Sequence, residues 1–311
     1  FSGDGTDGAP GQLLDARTVP LGGPRGMNVR RTLPQRQRSL IGAWCFVDHY
    51  GPDDVSATGG MRVAGHPHTG LQTVSWLFSG EVEHRDTVGT HAYVRPGELN
   101  LMTAGSGIAH SEYSTERTEL LHGAQLWVVL PESDRFTDAA FEHYAPPVIE
   151  QDGARVLVFS GSLCGDTSPV ETFTPLLGAE ITLPRAQELQ LNVDASFEHG
   201  VLVDSGEVTV AGVTATAGQL VYVSPGRERL NCTSSGPARV LVLGGEPFGE
   251  RIVMWWNFIG RDHDEIVAFR EQWQQERDGA ATTSQFGEFP EEWERTLPAP
   301  ELPNVRLRQR G

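Results

Sequence analysis

The sequence predicts an all-β protein in which one β-domain occurs twice along the chain. Its 311 residues include 36 glycines and 20 prolines, which separate short apolar runs of strand length. Turn residues about every ten positions are typical of a β-sandwich or β-barrel. An internal repeat indicates two related domains, and the chain is long enough for two domains of ordinary size.

Nine apolar segments are predicted strands because each is short and bounded by turn residues. In chain order they are Thr73–Phe78, Val82–Arg85, Leu120–Leu130, Val156–Ser160, Glu180–Leu183, Gly200–Val203, Val208–Ala211, Leu220–Val223 and Val240–Leu243.

One long helix is predicted near the C-terminus. Asp262 can cap its first turn, and Glu265 follows three residues later. Ile266, Phe269 and Trp273 then form an apolar stripe at spacings of three and four, as expected for a helix that packs on a core.

The repeat aligns residues 66–82, HPHTGLQTVSWLFSGEV, with residues 192–208, NVDASFEHGVLVDSGEV, without a gap. Both copies end in Ser-Gly-Glu-Val, which is typical of a tight β-hairpin turn. Residues 96–107 parallel residues 217–228 in the same way. We therefore expect a flexible N-terminal segment over 1–14, a first domain over 15–140, a second over 141–275 and a polar tail over 276–311.

Charge and cysteine content exclude several classes of protein. The formal net charge of −17 disfavours binding to nucleic acid or to anionic membranes, which need a clustered positive surface. No apolar run has transmembrane length. The chain has three cysteines that are far apart in sequence: Cys45, Cys164 and Cys232. We therefore expect a cytoplasmic location and no disulfide framework.

Two histidine-containing pairs suggest a metal site in the first copy. His66 and His68 are separated by one residue, and residues i and i+2 of an extended chain face the same side. His110 and Glu112 repeat this spacing 42 residues after His68. Three imidazoles and one carboxylate suit Fe, Mn, Cu, Ni, Co or Zn as divalent ions rather than Ca or Mg, and do not select among them.

The second copy serves as an internal control. Asn192 and Asp194 stand where the first copy has His66 and His68. Asn231 and Thr233 stand at the positions of the other pair, in a register uncertain by about two residues. We therefore expect the first copy to bind metal and the second copy to be structural.

Three stretches of the chain resemble the pirin family, which are bicupin proteins of the cupin superfamily. They are VDHYGP at 47–52, HPHTGLQTVSWLFSGEVEHRD at 66–86 and VRPGELNLMTAGSGIAHSE at 94–112. The resemblance implies two tandem cupin (jelly-roll) β-barrels packed face to face, with a C-terminal helix. It also implies a non-haem Fe(II) in the N-terminal barrel, held by His66, His68, His110 and Glu112.

The same resemblance implies an activity. Several pirins are flavonol dioxygenases, so we expect cleavage of a flavonol such as quercetin with O₂, with Glu112 taking the proton of the substrate 3-hydroxyl. The alternative is a metal- or redox-responsive regulatory protein that binds a protein partner without turnover. We expect a monomer. The sequence departs from the usual pirin motifs at Thr69, Leu71, Gln72 and Ser106. Thr69 and Ser106 replace arginines, which changes the charge near the site and bears on substrate and partner preference, and Gln72 leaves Glu112 as the only anionic ligand.

Two sets of residues have a structural interpretation beside the functional one. Five apolar residues are candidates for a flavonol pocket, although barrel core is the favoured role for most: Trp44, Phe46, Leu71, Trp76 and Met102. Seven histidines are expected to be structural or solvated: His49, His84, His91, His122, His143, His199 and His263.

Overall fold

A computed structural model describes residues 9–20 and 27–311. The described chain contains 26 strands and two helices. The strands up to residue 144 are β1 Gln12–Leu14, β2 Arg17–Pro20, β3 Asn28–Leu33, β4 Trp44–Asp54, β5 Arg62–His68, β6 Leu71–Ser79, β7 Val82–Asp86, β8 His91–Val94, β9 Leu99–Thr103, β10 Ile108–Ser114, β11 Leu120–Val129 and β12 Ala140–Tyr144.

The remaining strands are β13 Ile149–Gln151, β14 Ala154–Ser160, β15 Ser162–Leu163, β16 Asp166–Thr167, β17 Leu176–Leu183, β18 Gln187–Asn192, β19 Glu198–Ser205, β20 Glu207–Val210, β21 Val213–Thr216, β22 Leu220–Val223, β23 Arg229–Ser234, β24 Ala238–Gly245, β25 Val253–Trp255 and β26 Phe258–Gly260. The helices are α1 Val55–Thr58 and α2 His263–Arg277.

These elements confirm the predicted all-β class, each of the nine predicted strands, and the long helix. The Asp262 side chain caps α2 by accepting hydrogen bonds from the backbone N–H groups of Asp264 and Glu265 at 2.8 and 2.9 Å. Ile266 and Trp273, two members of the predicted stripe, are fully buried. The described chain contains no helix long and apolar enough to be a membrane span.

The chain divides into two compact units that are not consecutive in sequence. Among the described residues, unit I consists of 9–17, 30–49 and 144–248, and unit II of 18–20, 27–29, 50–143 and 249–311. The expected division at residues 140 and 275 differs from these boundaries, because two segments pack with distant parts of the chain.

Residues 30–49 belong to unit I through buried hydrogen bonds. The Gly42 N–H donates to Glu198 Oε1 at 2.6 Å, and the Trp44 indole N–H donates to the Leu177 carbonyl at 3.1 Å. Residues 249–311 belong to unit II in a similar way. The Trp293 indole N–H donates to Ser111 Oγ at 2.8 Å.

The expected polar tail contains a share of the unit II core. Phe286 is fully buried and belongs to one apolar cluster with Phe258, Ile266 and Trp273. At the other end of the chain, Gln12–Leu14 form β1, paired with β22, within the segment expected to be flexible. Residues 1–8 of that segment lie outside the described residues.

Sheet topology confirms the internal repeat. Unit II contains a four-stranded sheet of order β5-β10-β7-β8, here called the histidine sheet, and unit I contains its counterpart in the order β18-β23-β20-β21. The neighbouring sheets contain β9-β6-β11 and β22-β19-β24 respectively. The two hairpin turns contain Gly80 at φ 90° and Gly206 at φ 80°, a left-handed conformation that favours glycine.

Candidate metal centre

Cross-strand register brings three of the predicted ligands together on the histidine sheet. Strands β5 and β10 are antiparallel, with His110 opposite His66 and Ile108 opposite His68. Directly opposed residues share a face of a sheet, and so do residues i and i+2 of one strand. The side chains of His66, His68 and His110 therefore project from the same face.

The three imidazoles converge on one point. One ring nitrogen from each lies within 4.8 Å of those from the other two. The Nε2 atoms of His68 and His110 are 3.1 Å apart, and the ring centroids of His66 and His110 are 4.4 Å apart. All three residues are buried, with exposed fractions of 6%, 1% and 1% in sequence order.

Burial keeps these imidazoles neutral at physiological pH. Desolvation lowers the pKa of His66 to about 4 and the pKa values of His68 and His110 well below their ordinary value, and repulsion from neighbouring imidazoles adds to this. His66 Nδ1 lies 2.9 Å from the Ala64 carbonyl, to which it donates, so Nε2 carries the lone pair. A neutral imidazole with a free lone pair is the form that binds a metal ion.

The fourth predicted ligand, Glu112, lies outside this group of three. A register irregularity lies between His110 and Glu112 in the pairing with β5, which has one extra residue there, whereas the pairing of β10 with β7 stays regular and keeps Glu112 on the face of His110. Glu112 is buried, and Ser75 Oγ donates to its Oε1 at 3.1 Å. Burial raises the pKa of the Glu112 carboxyl.

The donor set fits a divalent transition metal. Three neutral imidazole nitrogens converge in a buried place without a thiolate, and a carboxyl group lies two residues along the same strand as His110. Borderline nitrogen donors suit Fe, Mn, Ni, Cu, Co and Zn and are poor ligands for Ca and Mg.

Apolar residues beside the histidines come from β6, β9 and β11. The Trp127 ring lies 5.2 Å from the His68 ring, edge to face. Met102 lies opposite Thr73, and Leu71 lies two residues before Thr73 on β6, so both share the face that carries Ser75. No sequence signal identifies Trp127, because its position opposite Thr73 depends on strand register.

The other pocket candidates lie elsewhere. Trp44 and Phe46 belong to unit I, where Trp44 packs edge to face against Phe159 and the Arg31 guanidinium lies over the Phe46 ring. Trp76 is fully buried on the opposite face of β6 from Ser75. The structural role that we favoured for most of these candidates fits these three.

The structure also places His84 beside the three histidines, although we expected it to be structural or solvated. His84 is buried on β7, and its Nδ1 lies 3.3 Å from Nδ1 of His110. The sequence does contain a signal for this position, because one residue separates His84 from Asp86, as one residue separates His66 from His68.

Register in unit I identifies the residues that replace the histidines. The opposed pair His66 and His110 corresponds to Leu191 and Leu230, one residue away from the equivalence expected from the sequence. The opposed pair Glu112 and His84 corresponds to Cys232 and Val210. These four replacements are buried in one apolar cluster: Leu191, Val210, Leu230 and Cys232. The second copy thus has an apolar interior where the first has imidazoles.

Comparison with known proteins also distinguishes two domains in the chain. Residues 26–128 match the model of the pirin family, and residues 178–279 match that of the pirin C-terminal cupin domain. The chain belongs to the pirin family. This confirms the resemblance drawn from the sequence and the prediction of two cupin domains.

Two relatives carry the name of one enzyme. A Pseudomonas aeruginosa protein named "putative quercetin 2,3-dioxygenase" is 43% identical to this pirin over 265 residues, 85% of this chain and 84% of its own. The crystal structure of a quercetin 2,3-dioxygenase from Acinetobacter baumannii has a TM-score of 0.88 and 38% identity, covering 96% and 98% of the two chains.

A more distant pirin from Escherichia coli, whose structure is a complex with nickel(II), has a TM-score of 0.61. The alignment covers 76% of this chain and 99% of that chain. At 21% identity, the likeness supports the fold alone.

Proposed function

We propose that this pirin is a metal-dependent dioxygenase that cleaves flavonols such as quercetin with O₂. The observation that carries the proposal is the buried convergence of His66, His68 and His110, whose ligand nitrogens lie within 4.8 Å of one another. The similarity to proteins named quercetin 2,3-dioxygenases supports the choice of substrate class.

His66, His68 and His110 would hold the ion, with Glu112 as the fourth ligand. When bound, a divalent ion, with Fe(II) as our first choice, supplies the Lewis acidity that favours the deprotonated 3-hydroxyl of a flavonol. Glu112 accepts the hydroxyl proton at Oε2, while Ser75 donates to Oε1 and holds the carboxylate in place.

Apolar side chains orient the substrate and exclude water. Trp127, Leu71 and Met102 are buried on the face of their strands that carries the site. A flat aromatic ligand matches such a surface, and exclusion of water strengthens electrostatic interactions with the enolate. Gln125 adds a polar group beside Glu112, because its Oε1 lies 3.1 Å from Ser75 Oγ.

The test is aerobic incubation of the Fe(II)-loaded protein with quercetin. We expect loss of the flavonol absorbance band and release of carbon monoxide, both abolished in His68→Gln. Glu112→Gln separates proton transfer from metal binding, because turnover is expected to fall more than metal content. His91→Gln is the matched control, since His91 is an exposed histidine on the edge strand β8 of the same sheet, where it pairs with Glu83 of β7. A metal-loaded wild-type protein that leaves quercetin unchanged would contradict the proposal and favour the regulatory alternative.

A further inference from the structure

We propose that His84 and Asp86 are positioning residues that fix the tautomer of His110, so that His110 Nε2 presents its lone pair to the metal. This inference rests on the proposed metal site and assigns a role to two residues outside the predicted ligand set. It follows from a chain of hydrogen bonds that runs from Asp86 through His84 to His110.

Strand β7 places both residues beside the ligand strand. In the pairing of β7 with β10, Asp86 lies opposite His110 and His84 lies opposite Glu112. His84 and Asp86 are two residues apart, so they share the face of the histidine sheet that carries the ligands. Their exposed fractions are 2% and 1%, which removes competition from bulk water.

Asp86 is held as a hydrogen-bond acceptor. Its Oδ1 accepts the backbone N–H groups of Val88 and Thr90 at 3.1 and 2.9 Å, in the turn that follows β7. Its Oδ2 lies 2.9 Å from His84 Nε2. Because an ionised carboxylate only accepts, the proton of His84 lies on Nε2.

The tautomer of His84 determines that of His110. A neutral imidazole protonated at Nε2 has its lone pair on Nδ1. His84 Nδ1 lies 3.3 Å from His110 Nδ1, so His110 donates from Nδ1 and has its lone pair on Nε2. That Nε2 is the atom 3.1 Å from His68 Nε2, within the group of converging nitrogens. Partners of this kind orient metal-binding histidines and raise their basicity.

The second copy supplies an independent argument that the pair serves the site as well as the turn after β7. Val210 occupies the place of His84 by strand register, and Gly212 the place of Asp86 by the repeat offset. The copy without imidazole ligands thus also lacks the positioning pair. The sheet forms without it, because β20 and β21 pair as β7 and β8 do, across a shorter turn of residues 211–212 in place of residues 86–90.

The first measurement is the ¹⁵N NMR spectrum of the imidazole rings in metal-free wild-type protein labelled at histidine. We expect the ring proton of His84 on Nε2 and that of His110 on Nδ1. In Asp86→Asn, the amide N–H₂ faces His84 Nε2 while the amide oxygen keeps the turn donors. Both tautomers are then expected to reverse. A His110 protonated at Nε2 in the wild-type protein would overturn the proposal.

The second measurement is the affinity for Ni(II) by titration, without any flavonol. His84→Ala and Asp86→Asn are expected to bind about 10–100-fold more weakly than wild type. His84→Asn restores part of the loss, because its amide oxygen can accept from His110 Nδ1. His91→Asn is the control and is expected to bind as wild type does. Unchanged affinity in His84→Ala would refute the positioning role.

The two proposals fail in different ways. Absence of Ni(II) binding by the wild-type protein would remove the metal site, and the tautomers of metal-free protein would still test the hydrogen-bond chain. Wild-type binding with equal affinity in His84→Ala would remove the positioning role alone. Turnover of quercetin is not part of either measurement.

Discussion

Substitution of Gly65 by alanine tests how the C-terminal segment supports the ligand strand. Gly65 precedes His66 on β5, and the Trp293 ring packs directly on its backbone. A Cβ at Gly65 would lie 2.5 Å from Cε3 and 2.6 Å from Cζ3 of Trp293. The same indole donates to Ser111, which lies between His110 and Glu112.

The cost of Gly65→Ala follows from these distances. The indole must move from 2.5 Å to the 3.4 Å of an ordinary contact, a retreat of about 0.9 Å. A movement of that size stretches the 2.8 Å hydrogen bond to Ser111 Oγ beyond its useful range. Overpacking costs roughly 1–3 kcal/mol and a lost hydrogen bond about 1 kcal/mol, so we expect destabilisation by about 2–4 kcal/mol.

The assay is urea unfolding followed by tryptophan fluorescence, with Ni(II) affinity as a second readout. Gly236→Ala is the matched control, because a Cβ there meets no heavy atom of the described residues within 4 Å and its φ is not positive. Its stability should stay within about 0.5 kcal/mol of wild type. Trp293→Ala in the Gly65→Ala background should abolish the additional cost. A Gly65→Ala protein as stable as wild type, or a cost that persists without Trp293, would refute the reasoning.

Three further predictions concern stability and turnover. Burial lowers the pKa of His199 to about 4 from its usual 6.5, so the unfolded chain binds the extra proton between these values. The His199 contribution to the free energy of unfolding is fully present above pH 6.5 and is lost as the pH falls toward 4. At pH 5.5 the free energy of unfolding of wild type should be about 1 kcal/mol lower than at neutral pH, whereas that of His199→Leu should not show this decrease, as measured by urea unfolding. Asp204→Ala should cost about 3 kcal/mol in the same assay, because the buried carboxylate lies 2.8 Å from both His49 Nε2 and Arg239 Nε; a loss below 1 kcal/mol would contradict this. Ser75→Ala should lower kcat about tenfold or more at unchanged metal content, because the charged Glu112 carboxylate loses the hydrogen bond that Ser75 donates. An unchanged kcat would show that Ser75 does not hold Glu112 in place for proton transfer.

Local signals accounted for the predicted elements. Short apolar runs between turn residues identified strands such as β22, whose observed bounds equal the predicted ones. Asp262 and the apolar stripe identified α2 because capping and helical periodicity act within a few residues. The repeat identified the two copies because both contain the same hairpin turn.

Long-range pairing accounts for what the sequence did not reveal. Residues 30–49 and the C-terminal segment pack with distant parts of the chain, and no local pattern encodes that choice. Strand β4 was missed because it is buried without alternation and includes the polar Asp48 and His49. Arg31 pairs with Asp48 at 2.7 Å, a partner that hydropathy does not indicate.

In the candidate site too, local sequence predicted some features, and the others depend on strand pairing. The spacing of His66 and His68, with one residue between them, predicted that they share a face, because alternation of side chains is a property of a single strand. The residue opposite Glu112 on β5 depends on a register irregularity, and the contact between His84 and His110 results from pairing of β7 with β10. The repeat alignment was one residue off because the connecting segments of the two copies differ in length.

Metal content by elemental analysis, after purified protein has been offered Fe(II) without oxygen and desalted, tests the central claim most directly. We expect about one divalent ion per chain in wild type and in His91→Ala, and none in His66→Ala. A folded wild-type protein without metal, or His66→Ala with the full amount, would contradict the assignment of the buried histidines as a metal centre.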